Sequence, residues 1–566
     1  MFQQSLDPVA GSLGWSALVA AVPLVTMFVL LGVFRIKAHI AGLVGLVLSM
    51  LTAAFVWDMP IGQTFSAAGE GAFYGFFPIL WILINALFVY KLTVATGWFE
   101  ELGRVIRSIS DDQRILAILI AFCFGALLES LAGFGAPVAI TAAMLMAAGM
   151  KPLKAACTAL LANTAPVAFG AMGAPILALA GVTTLPLDDL SAMAGRQTPF
   201  IAAIVPLLLV FMVDGKRGVR QVWPVALVAG ISFGAAQFVT SNYLTVELTD
   251  VVAAIVTVGV VLGMLRLWQP KEGLPAEAPV LPQPVGAGNG VGVVGGDGGG
   301  TSNAGSNADR SNADKIARYS PGMRTFLALA PYLVIIVVFS IAQIPSVKSW
   351  LGDIGTTAFT WPGLDIANAD GKELPQVFKL DHLKATGTLL LLSGLITAVL
   401  YKISPRRFVL AYRDTLVQLR WTLVTVAAVL ALAYVMNLSG QTSSLGMALA
   451  STGGAFALLS PVVGWLGVAI TGSDTSSNSL FGVLQVTAAR EAGLDPLLMA
   501  AANSSAGVLG KMLSPQNLSV AVAAVGLLGA EGTLLRKLIG WSLGLLVFLT
   551  AIIYLQSTDV LGWMVP

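Results

Sequence analysis

Charge is scarce in this chain. Of its 566 residues, 11% are Asp, Glu, Lys or Arg and 57% are hydrophobic, whereas a soluble domain carries about 25% charged residues. The shortfall excludes a water-facing surface over most of the length, and mean hydropathy stands at +0.85. Histidine and cysteine are nearly missing, with two of each. His39 and His382 lie far apart, and Cys123 and Cys157 sit in apolar runs without a CxxC. Neither a catalytic metal cluster nor any cofactor is therefore expected. A surplus of one charge sign is missing too: a net charge of +2 gives no basis for a nucleic-acid partner. Alternating segments of about ten residues, the mark of a membrane β-barrel, are also lacking.

What is present is a series of apolar runs of roughly 17–25 residues, each long enough to cross a bilayer core as a helix. The fold class is an all-α polytopic membrane protein, with the lipid bilayer as its first partner. The leader MFQQSLDPVAGSLG has no basic residue and no cleavage site. The first run is therefore read as a retained helix, with the leader outside because cytoplasmic loops hold the Lys and Arg excess. Crossings are expected at 15–34, 40–57 and 73–95. The stretch 115–149 has Arg107 and Arg114 before it and Lys151 and Lys154 after it. Both flanks belong inside, so the stretch enters and returns as a hairpin turning near Gly133-Phe134-Gly135. A broken segment at 155–181 and helices 199–213, 222–240 and 250–267 follow.

The tract 269–320 is crowded with Gly, Pro and Asn. It cannot bury apolar area and is expected to be a disordered cytoplasmic linker. It divides a membrane half at 1–268 from a second at 321–566. That half reads as helix 325–344, a polar outer loop 346–384, helices 386–401 and 421–437, a second hairpin within 448–490, a broken segment 497–530 and helix 538–556. The sum is about 12 crossings plus two hairpins.

Two stretches point to duplicated halves. NTAPVAFGAMGAP at 163–175 and NSSAGVLGKMLSP at 503–515 match at Asn163 with Asn503, Thr164 with Ser504, Gly170 with Gly510, Met172 with Met512 and Pro175 with Pro515. Upstream, GMKPL at 149–153 mirrors GLDPL at 493–497. The charge flanks send the first copy outward and the second inward. This is an inverted-topology repeat with broken helices, a transporter design that places the site near the midplane.

Four features carry chemistry. Glu129 is the lone charged residue of 115–149. A carboxylate at that depth costs several kcal/mol unless paired, hydrated or protonated. It is either a proton-coupling group or a static hydrogen-bonded acid. In TGSDTSSN, Asp474 stands among hydroxyls between two apolar arms, and such a tract needs protein or water around it. Ser473 and Thr475 can donate to an anion at a helix tip or coordinate Na⁺, and Asp474 is a second candidate for the proton. A plain extramembrane turn is the other reading. Lys511 is an intramembrane cation, presumptively functional, which either neutralises a substrate carboxylate or pairs with Glu129 or Asp474. Asn163, Thr164, Asn503, Ser504 and Ser505 flank the expected breaks, where they bind a substrate hydroxyl or satisfy freed backbone groups. Gly133 and Gly135 at the first hairpin tip join the substrate-binding set, since half-helix N-termini favour carboxylates. Arg196 is a snorkelling terminal arginine or a substrate contact.

With these motifs assembled, the chain resembles the L-lactate permease family, the bacterial lactate and glycolate transporters. The resemblance is carried by FYGFFPILWI at 73–82, FCFGALLESLAGFGAPVAITAA at 122–143, NTAPVAFGAMGAPI at 163–176, GRQTPF at 195–200, GWLGVAITGSDTSSNSLFGVLQVTAA at 464–489 and GKMLSPQNLSVAVAAVGL at 510–527. Ser130 and Leu131 stand where the family usually has Gly or Ala, and the glutamate and the Gly-Phe-Gly-Ala-Pro after it remain in place. The resemblance implies uptake of 2-hydroxymonocarboxylates (L-lactate, D-lactate, glycolate) with a proton across a bacterial inner membrane, and no enzyme activity. Na⁺-coupled carboxylate uptake and a passive anion channel are the alternatives at this point.

Overall fold

The structure is a computed structural model that describes residues 1–133, 135–274, 316–374 and 376–566. Among these, ten helices are long and apolar enough to cross a bilayer, or eleven when the bent pair Pro152–Ala162 and Val167–Thr183 counts as one span. One of the ten, Leu187–Tyr243, has 57 residues. At about 1.5 Å per residue that is far longer than a hydrocarbon core of about 30 Å. Asp214 and Gly215 leave helical φ/ψ inside it. Gly230 and Gly234 of its second arm pack on the backbone of Ala203 and Pro199 in its first. The two arms are therefore antiparallel, as the separate helices 199–213 and 222–240 require.

Some elements differ from the sequence reading. Helix 73–95 begins at Ile61, with non-helical φ/ψ at Phe77. Helix 421–437 begins at Pro405, because the polar stretch before it holds nothing that stops a helix. The outer loop 346–384 is not a plain loop, nor is the chain wholly α. It contains helix Pro345–Gly355 and an antiparallel ladder of Thr356–Thr360 with Val377–Asp381, while Ile366–Ala367 pairs in parallel with Phe2–Gln3. The Thr, Phe and Val of these strands suit a pleated, half-exposed surface. The expected linker 269–320 falls mostly outside the described residues. Its described edge is held down: Leu274 O accepts from Gln113 N at 3.0 Å and Glu272 O from Arg114 Nη2 at 2.6 Å.

Strand pairing puts the leader and the 346–384 segment on one face, here called the leader face. The turn 244–248 joins it, since Gln343 Nε2 donates to Thr245 Oγ1 at 3.3 Å and Thr386 Oγ1 to Glu247 Oε1 at 3.2 Å. The opposite face is organised by buried Arg114. Its guanidinium donates to Asp112 at 2.7 Å, Asp214 at 3.0 Å and Gln221 at 2.5 Å. Nearby, Gln113 Nε2 donates to Gly149 O at 2.8 Å and Lys154 Nζ to Val213 O at 2.7 Å. The first hairpin therefore starts and ends at the arginine face. The second does the reverse. Its ends, Gly454 and Leu494, line one surface depression with Ser557, and Gln556 meets Gln197, at the other end of the helix from Val213.

The two hairpins thus enter from opposite faces and their tips approach in the interior. Packing between the copies is reciprocal. Gly170–Thr183 lies on the returning arm Asp474–Glu491, and Pro515–Ala524 on the returning arm Ala136–Ala147. Close backbone approach holds the crossings together. Gly230→Leu would force a side chain into the Ala203 carbonyl. It is expected to lower stability by about 1–3 kcal/mol, the usual cost of overpacking. Gly259→Leu, where a Cβ meets nothing within 4 Å, is the control. Thermal unfolding in detergent should show a lower Tm for the first variant and an unchanged one for the second.

Candidate functional site

The first hairpin runs as helix to Ala132 and restarts at Ala136, with Gly135 at φ +84° making the turn. Glu129 sits one turn before this tip and is 3% exposed. Both of its oxygens are engaged. Lys511 Nζ lies 2.5 Å from Oε1, and Asn163 Nδ2 donates to Oε2 at 2.9 Å. One carboxylate therefore ties the first hairpin to the broken segments of both halves. Its seat is shaped by glycines: a Cβ at Gly133 would lie 3.3 Å from Oε1, and one at Gly170 would lie 3.0 Å from it.

Gly170 belongs to the first break, where the chain bends by 63°. Ala171, Met172 and Gly173 hold φ of +45°, +55° and +75°. For the alanine and methionine that region costs about 1–2 kcal/mol each, and it persists because the packing around it leaves no alternative. The second break is built differently. Helix Pro496–Lys511 is continuous through Asn503, Ser504 and Ser505. Those three residues do not flank a break, contrary to the sequence reading. The interruption falls at Met512–Ser514, where Ser514 caps a new helix with Pro515 in its first turn. Ser-Pro stops a helix, whereas Asn-Ser-Ser inside a packed core can bond sideways and leave the backbone helical.

Sideways bonding is what the second cluster shows. Ser504 Oγ donates to Asp474 Oδ2 at 2.5 Å, and Asn503 Nδ2 to Asn478 Oδ1 at 2.9 Å. Asn478 Nδ2 donates to Pro175 O at 3.0 Å, which carries the contact into the other half. Each hairpin thus offers an acid to the matching pair of its own half: Glu129 to Asn163, Asp474 to Ser504. The copies part at the cation, since Lys511 aligns with Ala171. Lys511 is also in electrostatic reach of Asp474.

The remaining expected residues are placed as follows. Ser473 Oγ accepts from Ser476 N at 3.2 Å, so the tip of helix Asp474–Glu491 is capped by its own hydroxyl. Thr475 is buried beside it. Thr164 Oγ1 donates to Leu161 O in its own helix at 2.7 Å. Gly135 packs on the second broken segment, where a Cβ would lie 3.2 Å from Asn517 Oδ1. Among the described residues, Ser505 Oγ and Asp474 Oδ1 are buried without a hydrogen-bond partner. Arg196 is tied to Asn242 Oδ1 and Met564 O, both at 2.8 Å, on the leader face and away from this cluster.

Sequence reasoning missed Asp250. It lies in the first turn of helix Thr249–Leu267, is fully buried, and is within electrostatic reach of Glu129 and Lys511. An acid in a first turn reads as an ordinary partner of the helix dipole, so position alone hid it. The signal that could have found it is Gln237, a second polar residue in an apolar run, whose Nε2 donates to Asp250 Oδ1 at 3.2 Å. Of the three buried acids, Glu129 alone contacts Lys511; Asp474 and Asp250 lie within its electrostatic reach.

A family model described as L-lactate permease matches residues 16–560. The chain is 40% identical over 582 residues to an L-lactate permease of Bacillus subtilis, covering 100% of this chain and 99% of the relative. It is 42% identical over 567 residues to the glycolate permease GlcA of Escherichia coli, covering 98% of each. Among solved structures, MtrF of Neisseria gonorrhoeae, from a class of antimetabolite efflux pumps, overlays with a TM-score of 0.44 at 14% identity, covering 86% of this chain and 82% of that one. The YdaH transporter of Alcanivorax borkumensis overlays with a TM-score of 0.39 at 17% identity, covering 86% of each. Matches to bacterial permeases along the whole length, joined to the set of apolar helices, make this a multi-pass bacterial membrane protein of a permease family. The chain belongs to the L-lactate permease family.

Proposed function

We propose that this protein imports L-lactate, D-lactate and glycolate across the bacterial inner membrane by proton symport. The observation that carries the reading is the buried pair of Lys511 and Glu129 at 2.5 Å. A small hydroxy acid brings one negative charge into the core and needs a cation there. Lys511 is already claimed by Glu129. Substrate carboxylate and Glu129 carboxylate therefore compete for one ammonium, and a proton on Glu129 resolves the competition. Protonation releases Lys511, substrate takes it, and the net buried charge stays constant. An anion without the proton would leave an unpaired buried charge, which costs several kcal/mol. Uptake without the proton is disfavoured by the same margin.

The hydroxyl of the substrate has partners in Ser504, Ser505 and Asn163, and Asp474 offers a second acid beside them. The halves at 1–268 and 321–566 each supply one hairpin and one broken segment to the loaded core. That core moves against the remaining helices and opens inward. The names of the relatives support the substrate class, since one is an L-lactate permease and another a glycolate permease.

The test is radiolabelled L-lactate uptake into proteoliposomes, driven by an inward proton gradient or separately by an inward Na⁺ gradient, with glycolate as competitor. Accumulation with the proton gradient alone, abolished by glycolate, is the expected result. Accumulation with Na⁺ alone would overturn proton coupling and move attention to the hydroxyl tract at 472–479. Equilibration without accumulation under either gradient would make the protein a channel.

A further inference from the structure

In the structure both Glu129 oxygens are occupied and the residue is sealed from solvent. If Glu129 carries the proton, something must deliver it. The delivering group must be a buried acid near Glu129, on the side from which protons enter, with an oxygen to spare. Asp250 meets each condition. It is fully buried, and its Oδ2 has no hydrogen-bond partner among the described residues while Oδ1 accepts from Gln237 at 3.2 Å. Gln237 Nε2 also donates to Ala165 O at 3.3 Å, two residues beyond the Asn163 that holds Glu129. Glu129 and Asp250 are thus both fastened to the first break, one through Asn163 and the other through Gln237.

Position supplies the direction. Asp250 stands two residues after the turn 244–248, which belongs to the leader face. The first hairpin carries Glu129 up from the arginine face. Asp250 therefore lies between Glu129 and the leader face, the outer one by the charge rule. Val246 of that turn packs against the first break, where a Cβ at Gly173 would lie 3.0 Å from its Cγ2. Movement of the break disturbs the turn that covers Asp250. From Gln237 the polar line continues outward to Thr198, whose Oγ1 donates to Gln237 Oε1 at 3.0 Å.

We propose that Asp250 is a proton-transfer residue that receives protons from the outer face and passes them to Glu129. This rests on the proton-symport reading of the site. When the turn 244–248 opens toward the outer face, Asp250 Oδ2 binds a proton from the water admitted there. When the pair of Glu129 and Lys511 parts, that proton moves to Glu129, and Asp250 returns to a carboxylate. One O–H bond breaks and one forms, and no other species takes part. The charged groups acting on Asp250 are Glu129 from the first hairpin and Lys511 from the second broken segment. The helix Thr198–Tyr243 packed against it contributes the Gln237 amide.

The bland alternative is a structural tie, in which Asp250 and Gln237 merely fasten two helices together. Net flux and exchange separate the two roles. Net proton-driven uptake needs a fresh proton in every cycle, whereas lactate counterflow can proceed with the proton retained. The experiment compares wild type, Asp250→Asn, Asp250→Glu and Gln237→Leu in proteoliposomes. It follows lactate-induced internal acidification with a trapped pH dye, proton-driven uptake, and counterflow. In Asp250→Asn, uptake and acidification should fall by about a hundredfold, the lower end of what a positioned proton donor contributes, with counterflow at the wild-type rate. Asp250→Glu should restore both. Gln237→Leu, which keeps the acid but removes its donor, should displace the pH profile of uptake.

Wild-type proton-driven uptake in Asp250→Asn would overturn the assignment. So would equal loss of uptake and counterflow in Asp250→Asn together with an undisplaced pH profile in Gln237→Leu, the pattern of a structural tie. Should Asp250→Asn fail to fold, Asp250→Glu and Gln237→Leu decide by the same pH profile. Failure of the symport reading looks different: wild type itself would show lactate uptake without acidification, and the role of Asp250 would fall with it.

Discussion

Lys511→Ala is expected to abolish lactate uptake and to weaken the fold at the same time. The ammonium lies 2.5 Å from Glu129, and both partners are buried. Removing one partner of a buried ion pair costs about 3–5 kcal/mol, because the other charge is left uncompensated. The variant can escape much of that cost by keeping Glu129 protonated, and a carboxyl held in that state no longer cycles. Two losses follow. Substrate finds no cation in the core, so counterflow disappears together with accumulation. The melting temperature falls, and it should recover in part when Glu129→Gln is added, since the orphaned charge is then gone. Transport should not recover. Thermal unfolding and counterflow on the two single variants and the double variant form a mutant cycle, and a coupling energy near zero would show that the pair does not act as a unit. Retained counterflow in Lys511→Ala would place the substrate carboxylate elsewhere.

The buried charges are legible in the sequence for a physical reason. In a chain where charge is expensive, each buried charge marks a place where something compensates it. Glu129, Asp474 and Lys511 stand out on those grounds; Lys511 pairs with Glu129, and Asp474 meets Ser504 of the helix that carries Lys511. The first hairpin is legible from basic flanks at both ends of an apolar stretch and the second from a polar tract between two apolar arms, and Gly135 makes the first turn as a positive φ demands. The errors share one cause: short-range signals leave tertiary bonding undetermined. Asn503, Ser504 and Ser505 look like a break because their copy at Asn163 and Thr164 lies at one. Their side chains bond instead to Asn478 and Asp474, and the helix runs on. Asp250 stands at a helix end, and nothing local tells an end at the surface from one buried behind the turn 244–248. The strands at Thr356–Thr360 and Val377–Asp381 were hidden in a polar loop, where apolar periodicity carries no information.

Glu129→Gln is expected to separate binding from energy coupling. Glutamine keeps the shape of the protonated acid, so Asn163 retains a partner and Lys511 is released permanently. In the wild type, substrate binding and proton binding are linked through the shared ammonium, and linkage is reciprocal. With one proton bound per substrate, the wild-type Kd for lactate should weaken about tenfold for each unit of rising pH wherever binding must draw that proton from solution. In Glu129→Gln the same plot should be flat, because the competing carboxylate no longer exists. Counterflow should persist, as Lys511 still receives the substrate. Accumulation against a gradient should vanish, because no proton accompanies the anion and the proton gradient has nothing to drive. Binding measured by intrinsic tryptophan fluorescence across the pH range, beside uptake and counterflow in vesicles, gives all three readouts. A Kd that keeps its pH slope in Glu129→Gln would move the coupling proton to Asp474 or Asp250. Full accumulation by the variant would remove Glu129 from the mechanism and leave its bond to Lys511 as a structural tie between the first hairpin and the second broken segment.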